Sequence, residues 1–372
     1  RNPGLARTLA NIAEGGKNAF YKGEIAETIV STLREAGGCM TLDDLAAHTS
    51  TWDESISTTY GKLRLWECPP NGQGITALIA LNLLEGFDLP SDPLDPLRLH
   101  LEIEALRLAF ADAREFVADP AVVIVPILEL ISKGYAETRR KLIDATKATL
   151  DQQRGTPIAG SDTVYFCVVD KWGNACSFIN SNYMGFGTGI VPKGWGFTLQ
   201  NRGHNFSLDP AHPNALAPGK RPYHTIIPAM ITRAGDQVLG KQVLGEQSSS
   251  LPNSLLPDTL FAAFGVMGGF MQPQGHLQVF LALAQGLDPQ AALDMPRFCI
   301  EDGTAGGVVA LEEGLPAKTV ADLTRRGHRV RYVTGWERAL FGRGQVILRD
   351  PETGVLTGGS DPRADGCALP LI

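Results

Sequence analysis

The sequence lacks paired cysteines and long apolar runs, and each absence excludes a class of protein. Among its 372 residues six are cysteines, and no two of them form a CxxC pair, so neither a zinc site nor a disulfide framework is expected. We interpret the six as mostly buried thiols of a reducing compartment, the cytoplasm. The longest apolar stretch, Ala121–Ile131, is broken by Pro126 and Glu129 and is too short to span a membrane.

The sequence also lacks basic clusters and the common catalytic signatures. Lys plus Arg number 33 against 40 Asp plus Glu, a net charge of -7 without any Lys/Arg-rich run, so neither nucleic acid nor a membrane is expected as a partner. There is no HExxH, GxxxxGK[ST] or GxSxG, which leaves zinc-protease, P-loop and α/β-hydrolase interpretations without support. His100 and Glu104 stand four residues apart, but two ligands alone rarely make a metal site. We therefore expect no metal and no cofactor.

The composition is that of a folded chain, and its predicted secondary structure changes near residue 155. With 44% hydrophobic and 20% charged residues, one large domain or two modest ones are expected. Helical periodicity dominates before this point and β-type alternation after it. Helices are predicted at Leu5–Glu14, Gly23–Ala36, Leu97–Val117, Ser132–Gln153, Gly275–Gln285, Pro289–Met295 and Pro316–Arg326, with a capped start at Thr41. Strands are predicted at Leu63–Glu67, Thr163–Val169, Ala175–Asn182, Gly189–Val191, Gly196–Leu199, Thr225–Ile231, Ala262–Met267 and Gln345–Arg349.

The junction between the helical region and the β-type region contains the residues with the most informative chemistry. A polar segment, Gly155–Asp162, which we expect to be exposed and mobile, leads into Thr163 at the start of a strong strand. If the peptide bond before Thr163 were cut, one residue would carry both a hydroxyl and an α-amine, whose pKa near 8 suits it to accept the hydroxyl proton. Gly268 and Gly269 follow another strand, where backbone N–H groups could approach a tetrahedral intermediate. A threonine that opens a strand is far more often structural, and spacing alone does not decide between the two interpretations.

Longer motifs resemble the gamma-glutamyltransferase family. The run DTVYFCVVDKWGNACSFINSNYMGFGTGIV (Asp162–Val191) is similar to the start of the family's small subunit, and AFYKGEIAETIV (Ala19–Val30) and GGCMTLDDLAAH (Gly37–His48) are similar to the end of its large subunit. The resemblance covers the chain except Gly240–Leu260. Further matching stretches are QNRGHNFSLDP (Gln200–Pro210), PGKRPYHTIIPAMI (Pro218–Ile231), VMGGFMQPQGHLQV (Val266–Val279), MPRF (Met295–Phe298) and SDPRADG (Ser360–Gly366).

The resemblance implies an α/β fold of the N-terminal-nucleophile hydrolase type, in which two β-sheets lie between helical layers. It also implies a precursor that cleaves itself between Asp162 and Thr163 into a large and a small subunit, which remain together as a heterodimer. Residues 1–162 would then be the mostly helical end of the large subunit, 163–372 the catalytic small subunit, and 240–260 an insertion. The chain opens Arg1-Asn2-Pro3-Gly4 without an initiator methionine or signal peptide. We therefore expect it to start within a longer protein, which leaves a periplasmic or secreted location open, and to expose apolar faces.

The resemblance assigns roles to particular residues. Thr163 is the implied nucleophile, Gly268 and Gly269 supply the oxyanion hole, and Ser181 stands where the family has a threonine that hydrogen-bonds the nucleophile. The implied substrate-binding positions are Tyr183, Arg202 and Asn205, where the family clamps an α-amino group, and His224 and Thr225, where it holds an α-carboxylate.

Departures from the family pattern bear on the substrate. An acidic partner for an ammonium group has become Asn205, and Arg202 adds a cation beside it, so the pocket should favour an anion. Thr225 can still donate, and His224 could donate with a possible charge near neutral pH. The short run Ser207–Pro218 has no room for a lid loop, so hydrolysis should outrun transfer. The sequence thus predicts a hydrolase or transferase of gamma-glutamyl groups, as in glutathione breakdown. A glutaryl or other amine-lacking acyl group, as in certain cephalosporin acylases, is one alternative, and an inactive remnant or partner subunit is another.

Overall fold

The structure, a computed structural model, describes residues 1–150, 162–234, 259–304 and 306–370. Residues 155–161 of the predicted mobile segment and 240–258 of the predicted insertion lie outside this part. The helices are α1 Pro3–Tyr21, α2 Glu24–Glu35, α3 Leu42–Ala46, α4 Gly74–Leu84, α5 Pro96–Phe116, α6 Ile127–Leu130, α7 Lys133–Arg140, α8 Met271–Ala284, α9 Pro289–Asp294 and α10 Ala317–Arg325. The strands are β1 Ile56–Tyr60, β2 Leu63–Glu67, β3 Asp162–Val169, β4 Ala175–Tyr183, β5 Ala229–Arg233, β6 Thr259–Met267, β7 Phe298–Ile300, β8 Val309–Glu312, β9 Val330–Val333, β10 Arg343–Arg349 and β11 Leu356–Ser360.

An antiparallel sheet of six strands, in the order β1-β2-β5-β6-β10-β11, forms the centre of the molecule. The β3–β4 hairpin packs on one of its faces, where the ring of Tyr165 fills the space that a side chain at Gly265 would occupy. Helix α8 packs on the other face, where Val266 similarly fills the space above Gly275. Neighbouring residues of β6 therefore point to opposite layers, as the period of a strand requires. A small sheet, β7-β8-β9, lies beside these layers.

Helix α4 is the centre of the hydrophobic core and was not predicted from the sequence. All eleven of its residues are buried, and it packs against α5, α7, α8 and strand β1. A helix enclosed on every side has no polar face, so it lacks the 3.6-residue alternation by which amphipathic helices are found.

Most predicted elements are confirmed, and Leu63–Glu67 has the predicted bounds, but one helix is too long and two strands are wrong. The helix predicted at Ser132–Gln153 ends at Arg140, and a turn follows in which Asp144 accepts hydrogen bonds from the backbone and hydroxyl of Thr146. The segments Gly189–Val191 and Gly196–Leu199 lie in irregular loop outside the strands, and their glycines have positive φ angles of 73° and 70°. The capped start at Thr41 is confirmed as a capping box with Asp44.

The expectation of mostly buried cysteines is wrong. Only Cys299 is buried, Cys167 is half-buried, and Cys39, Cys68, Cys176 and Cys367 are exposed. Cys39 and Cys68 lie between regular elements, and Cys176 is on the outward face of β4, so their exposure follows from where the chain places them. None of the described cysteines is in a disulfide.

The outward face of the β3–β4 hairpin is apolar and exposed. Val164, Phe166, Val168 and Phe178 are each more than 40% exposed, and the two phenylalanine rings stack at 4.8 Å. This confirms the expected exposed apolar face. Among the described residues, no helix is long and apolar enough to cross a membrane.

Candidate active site

Thr163 is the second residue of β3, and it is hydrogen-bonded to the partner that the family resemblance implies for it. Its hydroxyl Oγ1 donates to Oγ of Ser181 over 2.9 Å, because the two residues face each other in the β3–β4 register. Thr163 is only 5% exposed. The register shifts between Asp162 and Thr163, and such a bulge re-aims the chain at the predicted cleavage point. Ser181 also accepts from the backbone N–H of Tyr183 over 2.8 Å, which fixes the serine oxygen.

The packing of the two sheets brings the glycine pair to the same end as Thr163. Tyr165 of β3 lies over Gly265 of β6, and Cys167 lies near Ile347 of β10, which pairs with Ala263. The facing strands β3 and β6 therefore run in opposite directions. Thr163 lies two residues before Tyr165, and Met267, which ends β6 immediately before Gly268, lies two residues after Gly265, so both are at the same end.

The backbone amides of Gly268 and Gly269 are suited to bind an oxyanion. Both residues have positive φ angles, 135° and 61°, which favour glycine. Among the described residues, neither amide donates a hydrogen bond to the protein. Helix α8 begins two residues after Gly269, so its positive N-terminal end adds to the local field.

Arg202 is a buried guanidinium without an acidic partner among the described residues. It lies on a single 3₁₀ turn, Arg202–Asn205, and is 5% exposed. Its Nη1 donates to Oγ1 of Thr225 over 2.5 Å, its guanidinium carbon is 4.7 Å from the centre of the Tyr183 ring, and its Nη2 is buried without a hydrogen-bond partner. Burial lowers the pKa of Arg202 to about 10, so the group remains a cation at neutral pH and its unused Nη2 is a donor for an anion.

Asn205 is hydrogen-bonded to two neighbouring segments of the chain. Its Nδ2 donates to the carbonyl of Tyr223 over 3.0 Å, and its own carbonyl accepts from Nδ2 of Asn214 over 2.7 Å. Tyr183 is 1% exposed and has a φ of 81°, a conformation that L-residues rarely adopt away from functional sites.

His224 and Thr225 complete the predicted set, with one correction. Burial, with Arg202 and Arg221 nearby, lowers the pKa of His224 to about 3, so the charge that the sequence left possible near neutral pH is not supported. Its Nδ1 accepts from the backbone N–H of Ile226 over 3.3 Å, which assigns the proton to Nε2 and makes the ring a neutral donor. Thr225 is 1% exposed.

Comparison with known proteins agrees with this geometry. The model of the gamma-glutamyltranspeptidase family matches residues 1–249 and 240–371. This chain belongs to that family.

Relatives and solved structures support the assignment. The glutathione hydrolase-like YwrD proenzyme of Bacillus subtilis (strain 168) is 36% identical over 98% of this chain and 65% of its own length. The oxamate amidohydrolase proenzyme of Klebsiella pneumoniae is 32% identical over 99% and 65%. The crystal structure of a cephalosporin acylase from Bacillus halodurans is 44% identical, with a TM-score of 0.84 over 99% of this chain and 62% of that one. The chain thus has the predicted N-terminal-nucleophile hydrolase fold, and it spans less than two thirds of the length of each of these proteins.

Sequence reasoning missed one polar residue in the centre of the site. Gln73 is fully buried, and its Nε2 donates to the carbonyls of Thr225 over 2.7 Å and of Gly269 over 2.8 Å. It follows Pro69-Pro70-Asn71-Gly72, which the sequence identified only as a turn. A polar residue directly before a mostly apolar stretch is the signal that could have drawn attention to it.

Two other sequence candidates lie outside the site. Nδ1 of His100 bonds Nε2 of His328, and its Nε2 bonds the carbonyl of Asp144, each over 2.8 Å. The possible ligand atoms of His100, Glu104 and His328 lie within 4.8 Å of one another. Both nitrogens of His100 are already hydrogen-bonded, however, which favours a structural network. The pKa of Cys167 is raised to about 11, first by burial, so the thiol is protonated and unsuited to nucleophilic attack.

Proposed function

We propose that this chain is the catalytic part of an amide hydrolase that cleaves itself between Asp162 and Thr163. It then hydrolyses amides through an ester on Thr163, and its preferred acyl group carries a carboxylate, without an amine, at the end remote from the scissile bond. The observation that carries this proposal is the Thr163–Ser181 hydrogen bond at the first residues of β3, at the same end of the sandwich as the glycine amides.

Self-cleavage uses the same hydroxyl as later turnover. Oγ1 of Thr163 attacks the carbonyl carbon of Asp162, a C–O bond forms, the C–N bond breaks, and the proton passes to the α-nitrogen of Thr163. Water then hydrolyses the ester, which leaves a carboxylate on Asp162 and a free α-amine on Thr163.

In turnover, that α-amine is the base. It takes the proton of Oγ1 as the oxygen attacks the substrate carbonyl, and it gives the proton to the departing amine when the C–N bond breaks. The amides of Gly268 and Gly269 stabilise the oxyanion that forms between these steps. Water attacks the resulting ester by the same route in reverse, with Ser181 holding the threonine oxygen in place.

The charges around the acyl pocket support a carboxylate-bearing group. Nη2 of Arg202 is buried without a hydrogen-bond partner among the described residues, so it needs an acceptor. Burial raises the pKa of Tyr183, and the positive charges of Arg114 and Arg202 oppose that rise. An α-ammonium group would therefore enter a field of its own sign with no carboxylate from the described residues paired to Arg202, whereas a substrate carboxylate would complete the bonding of that guanidinium.

The loop after the pocket supports hydrolysis over transfer to an amine. The backbone N–H of Ser207 donates to the carbonyl of Asn214 over 2.9 Å, and that of Leu216 donates back to Ser207 over 3.0 Å. The segment thus closes on itself as a short loop and does not form a long lid, so we expect water to reach the ester.

Intact-mass measurement and matched anilides test the proposal. Wild-type protein should separate into two fragments at Asp162–Thr163 on a denaturing gel and release p-nitroaniline from glutaryl-p-nitroanilide faster than from the γ-glutamyl compound. Thr163→Ala should stay intact and inactive, while Thr163→Ser keeps a hydroxyl and should be cleaved. An intact wild-type chain that hydrolyses neither anilide would refute the proposal and favour an inactive remnant or partner subunit. Faster γ-glutamyl release would refute the substrate assignment alone.

A further inference from the structure

Gln73 connects the two halves of the candidate site through one side chain. It directly precedes α4 and is fully buried. Its Nε2 donates to the carbonyl of Gly269 and to that of Thr225, the residue bonded to Arg202. Gly268 and Gly269 together are called the oxyanion turn below. Both acceptors are carbonyl oxygens, so the amide nitrogen must point toward them, and the orientation of the carboxamide is determined by chemistry.

Gln73 is itself held firmly. Its backbone N–H donates to the carbonyl of His224 over 2.9 Å, and its own carbonyl accepts from Thr76 over 2.9 Å. The hydroxyl of Tyr223 lies 3.4 Å from Oε1. The side chain is therefore a rigid link and not a flexible contact.

The oxyanion turn needs such a link because glycine does not restrict its own backbone. Gly268 and Gly269 have wide conformational freedom, and in the described part of the chain the carbonyl of Gly269 otherwise accepts only from Gln272, over a longer 3.2 Å. Without Gln73, the distance between the oxyanion amides and the guanidinium of Arg202 would be less strictly fixed.

We propose that Gln73 is a positioning residue. It fixes the spacing between the oxyanion turn and the acyl-carboxylate subsite at Arg202 and Thr225, and it thereby selects the length of the acyl chain. This inference rests on the proposed function. Since a substrate must reach both places at once, a fixed spacing favours one chain length over those a methylene shorter or longer.

The test compares Gln73→Met, which keeps the volume and removes both donors, with Gln278→Met. Gln278 is a matched control, since its Nε2 also bridges two carbonyls, those of Gln274 and Phe298, over 3.0 and 3.1 Å, on the helix that follows the site. The substrates are succinyl, glutaryl and adipoyl p-nitroanilides. Ratios of kcat/KM within one preparation are independent of its active fraction, so they separate positioning from a loss of folded protein.

We expect Gln73→Met to lower kcat for the best substrate by about 10- to 100-fold, since misplaced oxyanion donors lose much of their effect, and to reduce the discrimination among chain lengths. Gln278→Met should change neither. In Gln73→Glu, a carboxylate would face two carbonyl oxygens, so activity relative to wild type should rise as the pH falls and the acid becomes a donor.

Two outcomes would overturn the inference and are distinguishable. Active wild type with unchanged kcat and unchanged length ratios in Gln73→Met would refute the positioning role alone. Wild type that neither cleaves itself nor hydrolyses any anilide would refute the proposed function, and the positioning role with it.

Discussion

Replacing Arg202 with glutamine gives the sharpest test of the substrate assignment. The guanidinium is 5% exposed and has an unused Nη2, so a substrate carboxylate would gain a charge-assisted hydrogen bond in a dry site. Hydrogen bonds to charged groups contribute about 1.5–3 kcal/mol. At about 1.4 kcal/mol per factor of ten, Arg202→Gln should lower kcat/KM for glutaryl-p-nitroanilide by about 10- to 150-fold.

Matched substrates make the reasoning falsifiable. Valeryl-p-nitroanilide has the same chain without the carboxylate, and its kcat/KM should change little, while the γ-glutamyl compound should improve relative to glutaryl. Arg331→Gln removes an exposed guanidinium elsewhere and serves as the control. Equal losses for all three anilides in Arg202→Gln would show that the residue supports the fold and does not read the acyl group.

The same variant makes a separate statement about stability. Because Arg202 is buried without a carboxylate among the described residues, its removal relieves desolvation while it loses the bond to Thr225. We expect the free energy of unfolding to change by no more than about 1 kcal/mol, measured by urea denaturation. A large destabilisation would indicate a charge partner in the folded protein.

Two further predictions concern stability and the exposed face. Asp361 binds Arg297 over 2.8 Å and Arg363 over 3.0 Å, all three at most 2% exposed, so Asp361→Asn should cost about 3–5 kcal/mol in urea denaturation. Burial alone would raise the pKa of Asp361, but the two guanidinium groups lower it overall; its contribution is therefore present at neutral pH and should be lost as the pH falls through that lowered pKa, seen by repeating the denaturation at acid pH. Replacing Phe166 and Phe178 with serine should reduce binding of the dye ANS, since both rings are 45% exposed; unchanged fluorescence would place the dye elsewhere.

The pairing of Thr163 with Ser181 was easier to predict from the sequence than the surroundings of the site. Thr163 and Ser181 were assigned by motif, and hairpin register alone brings them together, which is a local property of two adjacent strands. Helix α4 was missed because uniform burial removes periodicity. The helix from Ser132 was extended too far because the end at Arg140 depends on contacts of the following turn with distant parts of the chain, such as the backbone bond from Ala148 to the carbonyl of Arg326.

Electrostatics was the part that local patterns left incomplete. The sequence placed a cation at Arg202 and considered a second at His224, but burial, which depends on the whole fold, makes the histidine neutral. The fold also leaves Arg202 without an acidic partner among the described residues. A folded chain tolerates such a buried charge more readily when a ligand supplies the missing partner. The cost of burying Arg202 is thus the physical reason to expect a carboxylate on the substrate, and Gln73 is the reason to expect that carboxylate at one fixed distance from the reacting carbonyl.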